Sequence, residues 1–195
     1  MKPSFIRLPM RPALLPAAGL ASLALAVLVA ASRAPSSNPV ERGRYLVQYG
    51  GCADCHTPRT LGPQGPVPDT SRWLAGHPED LELPPPPKLK PGPWFAVTAG
   101  LTAWAGPWGV SYAANLTPDV NTGLGIWTEA MFLEAMRTGR HMGTGRDILP
   151  PMPWQGLAQL TDEDLRAIFA YLRSLPPVRN RVPDPLGPDT LPLYE

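Results

Sequence analysis

Two cysteines and a histidine stand within five residues, in the segment Cys52-Ala53-Asp54-Cys55-His56. This Cys-x-x-Cys-His spacing is typical of covalent haem attachment, because two thiols separated by two residues can form thioether bonds along one edge of a porphyrin. The next residue then lies beneath the iron, so His56 is predicted to be the proximal ligand. The sequence therefore predicts one haem c, held by Cys52, Cys55 and His56.

Three other uses of the same cysteines remain open at this point. A thioredoxin-like redox motif follows a strand in a βαβ unit, whereas the residues before Cys52 favour a helix. A zinc site needs four ligands, and the two remaining histidines, His77 and His141, stand far apart in the sequence. A disulfide between Cys52 and Cys55 would close a very small loop and add little stability. Haem attachment explains the pattern better than any of these.

Met152 is the predicted sixth ligand of the iron. It stands between Pro151 and Pro153, and a residue before proline is driven toward an extended backbone, so its thioether projects from a stiff loop. A histidine and a methionine as axial ligands raise the reduction potential and suit electron transfer. The alternative for Met152 is an ordinary methionine that fills a gap in the core.

Other side chains compete for the same position. Met142 is the main rival, although glycines make its loop looser, and His77 or His141 would ligate with a lower potential. Met131 and Met136 fall on the apolar face of a predicted helix and are expected to pack in the core.

Three helices are expected to position these groups. Residues 40–49 are compatible with a short helix that ends at Gly50-Gly51. A second helix is predicted from Thr128 to about Thr138, stopped by Gly139. The clearest begins after the capping residue Thr161 and carries an apolar stripe before Pro176-Pro177. Its stripe consists of Leu165, Ile168, Phe169 and Leu172.

Proline is the compositional outlier, with 28 residues among 195. The stretch from Pro58 to Gly109 is dense in proline, glycine and tryptophan and is expected to form a long surface excursion. The predicted fold class is therefore all-α, a helical domain around one covalent haem with long proline-rich loops.

The N-terminus carries basic residues ahead of a mostly apolar run, Ala13 to Ala31, which indicates an export signal or a membrane anchor. A buried alanine-rich core helix is the alternative. Everything after this run is expected outside the cytoplasm, in a bacterial periplasm, either soluble or tethered. The expected division is a signal or anchor at 1–33, a linker at 34–39, the domain at 40–178 and a proline-rich tail at 179–195.

A family resemblance runs from about Val40 to Val178. The sequence resembles class I cytochromes c, and more closely the cytochrome domains associated with bacterial membrane-bound alcohol and sugar-acid dehydrogenases. The motifs that carry it are Gly43-Arg44-Tyr45-Leu46, Ala114-Asn115-Leu116-Thr117-Pro118-Asp119, Thr122-Gly123-Leu124-Gly125-Ile126-Trp127, Pro151-Met152-Pro153-Trp154, Leu160-Thr161-Asp162-Glu163-Asp164-Leu165 and Tyr171-Leu172-Arg173-Ser174-Leu175-Pro176-Pro177.

The resemblance implies that Met152 is the distal ligand and that the N- and C-terminal helices cross near the haem edge. It also implies two possible roles for Asn115, Trp127 and Trp154: they line the haem pocket or bind its propionates, or they cap turns and fill the core. The chain holds one Cys-x-x-Cys-His motif, where the dehydrogenase subunits usually hold three.

The leading hypothesis is a mono-haem electron carrier that is not itself an enzyme. Its expected partners are redox proteins, met either freely or within a respiratory, photosynthetic or dehydrogenase complex, with membrane association if the N-terminal segment is retained. The formal net charge of +1, without a basic stripe, gives no reason to expect nucleic acid. A haem enzyme or gas sensor with an open distal site is the alternative.

Overall fold

The computed structural model describes residues 38–88 and 94–189. The predicted signal or anchor at 1–33 lies outside the described residues, as does most of the predicted linker. The helices are α1 Pro39–Tyr49, α2 Cys52–His56, α3 Glu129–Thr138, α4 Trp154–Leu157 and α5 Asp162–Ser174, with 3₁₀ turns at Thr70–Arg72 and His141–Gly143.

Helix α1 begins one residue earlier than the sequence predicted. The side chain of Asn38 accepts a hydrogen bond from the Val40 amide at 3.0 Å, which satisfies a donor that the helix itself leaves free. Pro39 fits the first turn because that position needs no amide donor. The buried face of the helix holds Gly43 and Val47.

Helices α1 and α5 cross closely because Gly43 has no side chain. A Cβ placed on Gly43 would stand 1.8 Å from the carbonyl oxygen of Ala167, so no other residue fits without separating the helices. Beside the crossing, Arg42 and Asp164 form an ion pair with a nitrogen-to-oxygen distance of 2.5 Å. The expected crossing of the N- and C-terminal helices is thus present.

Helix α3 begins one residue later than predicted, with Thr128 as its cap, and ends at Thr138 as predicted, while α5 begins after its predicted cap Thr161. The hydroxyl of Thr128 accepts from the Met131 amide at 3.2 Å, and Gly139 ends α3 in the left-handed conformation, with φ 70°. Thr161 caps α5 by accepting from the Asp164 amide at 3.1 Å. All four predicted stripe residues of α5 are buried in one cluster, whose members are Val47, Leu74, Leu124, Phe132, Ala135, Met136, Leu165, Ile168, Phe169, Tyr171 and Leu172.

Two small antiparallel sheets, a hairpin of β1 Arg59–Gly62 and β2 Gly65–Pro68 and a three-stranded sheet, make the all-α prediction too narrow, although the longest elements are helices, as expected. Strands β1 and β2 form a hairpin in which Arg59 pairs with Pro68 and Gly62 with Gly65. Strands of two to four residues are too short to show the alternation that identifies a strand in a sequence. The strands are β1 Arg59–Gly62, β2 Gly65–Pro68, β3 Ala96–Val97, β4 Ala103–Gly106 and β5 Gly109–Tyr112, with β3, β4 and β5 in one sheet.

The segment after α5 packs onto the excursion. Asn180 is completely buried, and its amide group donates to the carbonyl oxygens of Ala75 at 2.6 Å and His77 at 2.8 Å. Further along, Leu186 exchanges two backbone hydrogen bonds with Val110 in β5. Asn180 and Leu186 of the predicted tail therefore attach it to residues 75–77 and to β5.

Among the described residues, none of the helices combines the length and the hydropathy that crossing a membrane requires.

Candidate haem-binding site

A left-handed glycine starts the helix that carries the motif. Gly51 has φ 66° and precedes α2, which contains the whole Cys-x-x-Cys-His segment. Residues three apart lie on the same side of a helix, so α2 places Cys52 and Cys55 on one face. Both side chains are half-buried, and their sulfur atoms are not bonded to each other.

The imidazole of His56 is held so that one nitrogen is free for a metal. His56 is buried, and its Nδ1 lies 2.8 Å from the carbonyl oxygen of Ala114. Because a carbonyl only accepts, the proton of the neutral ring stands on Nδ1 and the Nε2 lone pair is available. Burial lowers the pKa of His56, which also favours the neutral ring.

Part of the proline-rich excursion lies directly beside the Cys-x-x-Cys-His motif. The Gly76 amide donates to the carbonyl oxygen of His56 at 2.7 Å, and the Leu74 amide donates to the hydroxyl of Thr57 at 3.0 Å. Gly76 has φ 81°, and a Cβ there would lie 2.5 Å from the carbonyl oxygen of Ala113. Residues 74–76 and 113–114 thus form a rigid backing for the histidine.

The thiols stand in surroundings that favour their neutral form. Burial raises the pKa of Cys52. Burial and the nearby Asp54 carboxylate raise the pKa of Cys55, whereas the Arg59 guanidinium lowers it. Two unpaired thiols on one helix face, next to a buried imidazole, fit the Cys-x-x-Cys-His pattern of covalent haem attachment.

Met152 lies in the loop between α3 and α4, half-buried and packed against the main cluster. Its backbone is fixed on both sides, since the Met152 amide donates to Leu149 at 3.3 Å and its carbonyl accepts from Trp154 at 2.9 Å. The Trp154 ring packs over Gly139, where a Cβ would stand 2.3 Å from the indole. The loop therefore fixes the backbone of Met152 beside the apolar cluster, and ligation by Met152 stays a prediction.

The rival methionines occupy different surroundings. Met142 lies in a 3₁₀ turn with φ 55°, in the left-handed region that side chains rarely adopt. Met136 is buried in the cluster, as expected, and Met131 is half-buried on α3.

The rival histidines are both held by contacts within the protein. His77 is buried, shares a hydrogen bond of 2.9 Å with the Thr102 hydroxyl, and packs on the Tyr112 ring with centroids 5.0 Å apart. His141 is half-buried against the edge of Trp127, at 5.1 Å between centroids. Within 38–88 and 94–189, no group of three or more His, Cys, Asp or Glu side chains could hold a metal ion.

Asn115 has its hydrogen bonds satisfied by the protein. Its carbonyl oxygen accepts from the Thr117 amide at 3.0 Å, and its amide nitrogen donates to the Val178 carbonyl at 2.8 Å. Asn115 thus caps a turn, which is one of the two roles that the resemblance implied for it.

The sequence did not predict the role of Ala114, whose carbonyl orients His56, or that of Asn180, whose side chain binds the Ala75 and His77 carbonyls. A backbone carbonyl leaves no signal in a sequence, and a single asparagine between charged residues looks like part of a loop.

The sequence profile of the cytochrome c family matches residues 40–176. The chain belongs to this family. A cytochrome c with one Cys-x-x-Cys-His motif carries one covalent haem c, and the buried neutral His56 beside two accessible thiols fits that cofactor.

Several relatives of the chain are named as subunits of bacterial dehydrogenases. The chain is 31% identical over 175 residues to a subunit of the nicotinate dehydrogenase of Pseudomonas putida, a match that covers 85% of this chain and 12% of the relative. It is 30% identical over 132 residues to the gluconate 2-dehydrogenase cytochrome c subunit of Pantoea cypripedii, covering 68% and 22%. It is 28% identical over 148 residues to the cytochrome c subunit of the quinone alcohol dehydrogenase of Gluconobacter oxydans, covering 74% and 24%.

The chain thus spans between 12% and 24% of the length of these three relatives. The similarity places it with the cytochrome subunits of bacterial alcohol and sugar dehydrogenases as a distant homologue.

Proposed function

We propose that this protein is a mono-haem electron carrier whose haem is bound by Cys52, Cys55, His56 and Met152. The observation that carries the proposal is the hydrogen bond of 2.8 Å from His56 Nδ1 to the Ala114 carbonyl, which leaves Nε2 as the only ring nitrogen free to ligate. The bound iron supplies a one-electron couple between its ferrous and ferric states.

The protein's own residues perform four tasks. Cys52 and Cys55 anchor the cofactor from one helix face, and His56 is oriented by Ala114. The apolar cluster, which includes the buried residues Leu74 and Phe132, excludes water from the site. Met152, held at the edge of this cluster, supplies the thioether that completes the ligand set and raises the potential.

A redox titration of the purified full chain, produced in a host that attaches haem c, tests this proposal. We expect one haem per chain, a single reversible one-electron wave and no change in the spectrum of the reduced protein under carbon monoxide. Rapid binding of carbon monoxide would instead show an open distal site and support the enzyme or gas-sensor alternative.

We propose redox proteins as partners and an extracytoplasmic location. The relatives are named as subunits of dehydrogenases, so a dehydrogenase is the first partner to test. Affinity isolation of the tagged full chain from membranes of the native organism, followed by mass spectrometry, is expected to recover such a partner. The intact mass of the isolated chain tests whether residues 1–33 are cleaved as a signal or kept as an anchor.

A further inference from the structure

One arginine near the motif has no partner for its charge. Arg59 is half-buried at the start of β1, three residues after His56. Its Nε is buried and is, within 38–88 and 94–189, the one buried side-chain nitrogen or oxygen without a hydrogen bond. A buried polar group left unpaired costs free energy, so its presence in a folded protein calls for an explanation.

Several other arginines of the domain pair with carboxylates, whereas Arg173 donates to the carbonyl oxygens of Leu124 and Gly125. Arg42 pairs with Asp164 at 2.5 Å, and Arg137 with Asp162 at 2.6 Å. Among the described residues, no ion pair or side-chain hydrogen bond involves the Arg59 side chain, so no carboxylate lies within ion-pair distance of its guanidinium.

The hairpin holds Arg59 in place next to the motif. The backbone of Arg59 pairs in register with Pro68, and the preceding residues Thr57 and Pro58 are buried. Arg59 also stands four residues after Cys55, and its guanidinium and the Asp54 carboxylate act in opposite directions on the pKa of that thiol. The half-buried cation therefore lies beside a cysteine that anchors the cofactor.

We propose that Arg59 sets the reduction potential of the haem by placing near it a positive charge that has no ion-pair partner. Reduction adds one electron to the iron and forms or breaks no bond, so a fixed cation nearby stabilises the reduced state over the oxidised state. The effect is strong because screening by water and salt is weak at a partly buried position. This inference rests on haem attachment at Cys55, and it is independent of which residue provides the sixth ligand.

The test is a potentiometric titration of the full-length holoprotein and three variants at low and high ionic strength. Arg59→Gln removes the charge, Arg59→Lys keeps it, and Arg166→Gln is the control. Arg166 is half-exposed on α5 and pairs with Glu129 at 3.0 Å, so its removal changes the net charge equally at a solvated position.

We expect Arg59→Gln to lower the potential at both ionic strengths, whereas Arg59→Lys keeps most of the native value. Arg166→Gln should shift the potential less, and added salt should remove that shift. A native potential in Arg59→Gln, or a shift that disappears in salt like that of the control, would overturn the proposal.

Two further measurements separate this inference from the proposed function. The visible spectrum reports whether each variant has attached its haem and kept its axial ligands. If Arg59→Gln has native spectra and an unchanged potential, the inference fails while the electron-carrier proposal stands. If the native protein shows no reversible one-electron wave, the proposed function fails first. If Arg59→Gln does not fold, a comparison of the potentials of Arg59→Lys and Arg59→Met tests the same loss of charge.

Discussion

Replacing Asn180 with alanine should destabilise the domain far more than its position after the last helix suggests. Its side chain donates to the Ala75 and His77 carbonyls and accepts from the Glu79 amide at 2.8 Å. The substitution leaves these three backbone groups without a partner, and each stranded buried group costs about 1–3 kcal/mol. Because water can enter the space that is vacated, we take the lower value for each, which gives about 3 kcal/mol in total.

Guanidinium denaturation followed by far-UV circular dichroism measures this loss. For a domain of this size, about 3 kcal/mol corresponds to a melting temperature lower by roughly 6–12 °C. Asn121→Ala is the matched control, since Asn121 is exposed, and its loss should stay within about 0.5 kcal/mol. If Asn180→Ala lost less than about 1 kcal/mol, the reasoning from stranded backbone groups would be refuted.

Two further predictions concern the crossing of α1 and α5. Gly43→Ala should lower the free energy of unfolding by about 1–3 kcal/mol through overpacking, whereas Gly156→Ala, whose Cβ meets no atom within 4 Å, should not lower it. Equal thermal stability of the two variants would contradict the close contact. Asp164→Asn should lower the free energy of unfolding and should make that free energy depend less on pH in the acidic range. The hydrogen bond from Arg42 lowers the pKa of Asp164 in the folded state, so its contribution is present above the unfolded pKa of about 3.9 and is lost as the pH falls through the folded value. Chemical denaturation at a series of pH values checks this, and a native acid dependence in Asp164→Asn would contradict it.

The helical part of the fold could be predicted because its signals are local. The cap at Thr161, the glycine stop at Gly139 and the apolar stripe of α5 each depend on residues within a few positions of one another, and the structure confirms all three. The chemistry-bearing motif is local too, since two thiols and an imidazole within five residues specify their cofactor.

The excursion could not be predicted because its order comes from distant contacts. Its strands have two to four residues. The second sheet also pairs with Leu186, which lies more than seventy residues beyond β5 in the sequence. The burial of His77 likewise depends on Thr102 and Tyr112, which approach it only when the sheet forms. The orientation of His56 depends on the carbonyl of Ala114, and a backbone group leaves no mark in the side-chain sequence.

The ligand set of the iron is the central claim, and the visible spectrum of the ferric protein tests it most directly. We expect the weak red charge-transfer band of methionine sulfur bound to iron, lost in Met152→Ala and kept in Met142→Ala. A band that survives in Met152→Ala and disappears in Met142→Ala would show that the ligand comes from the other loop. A native protein that lacks the band would contradict the assignment of a methionine-ligated electron carrier.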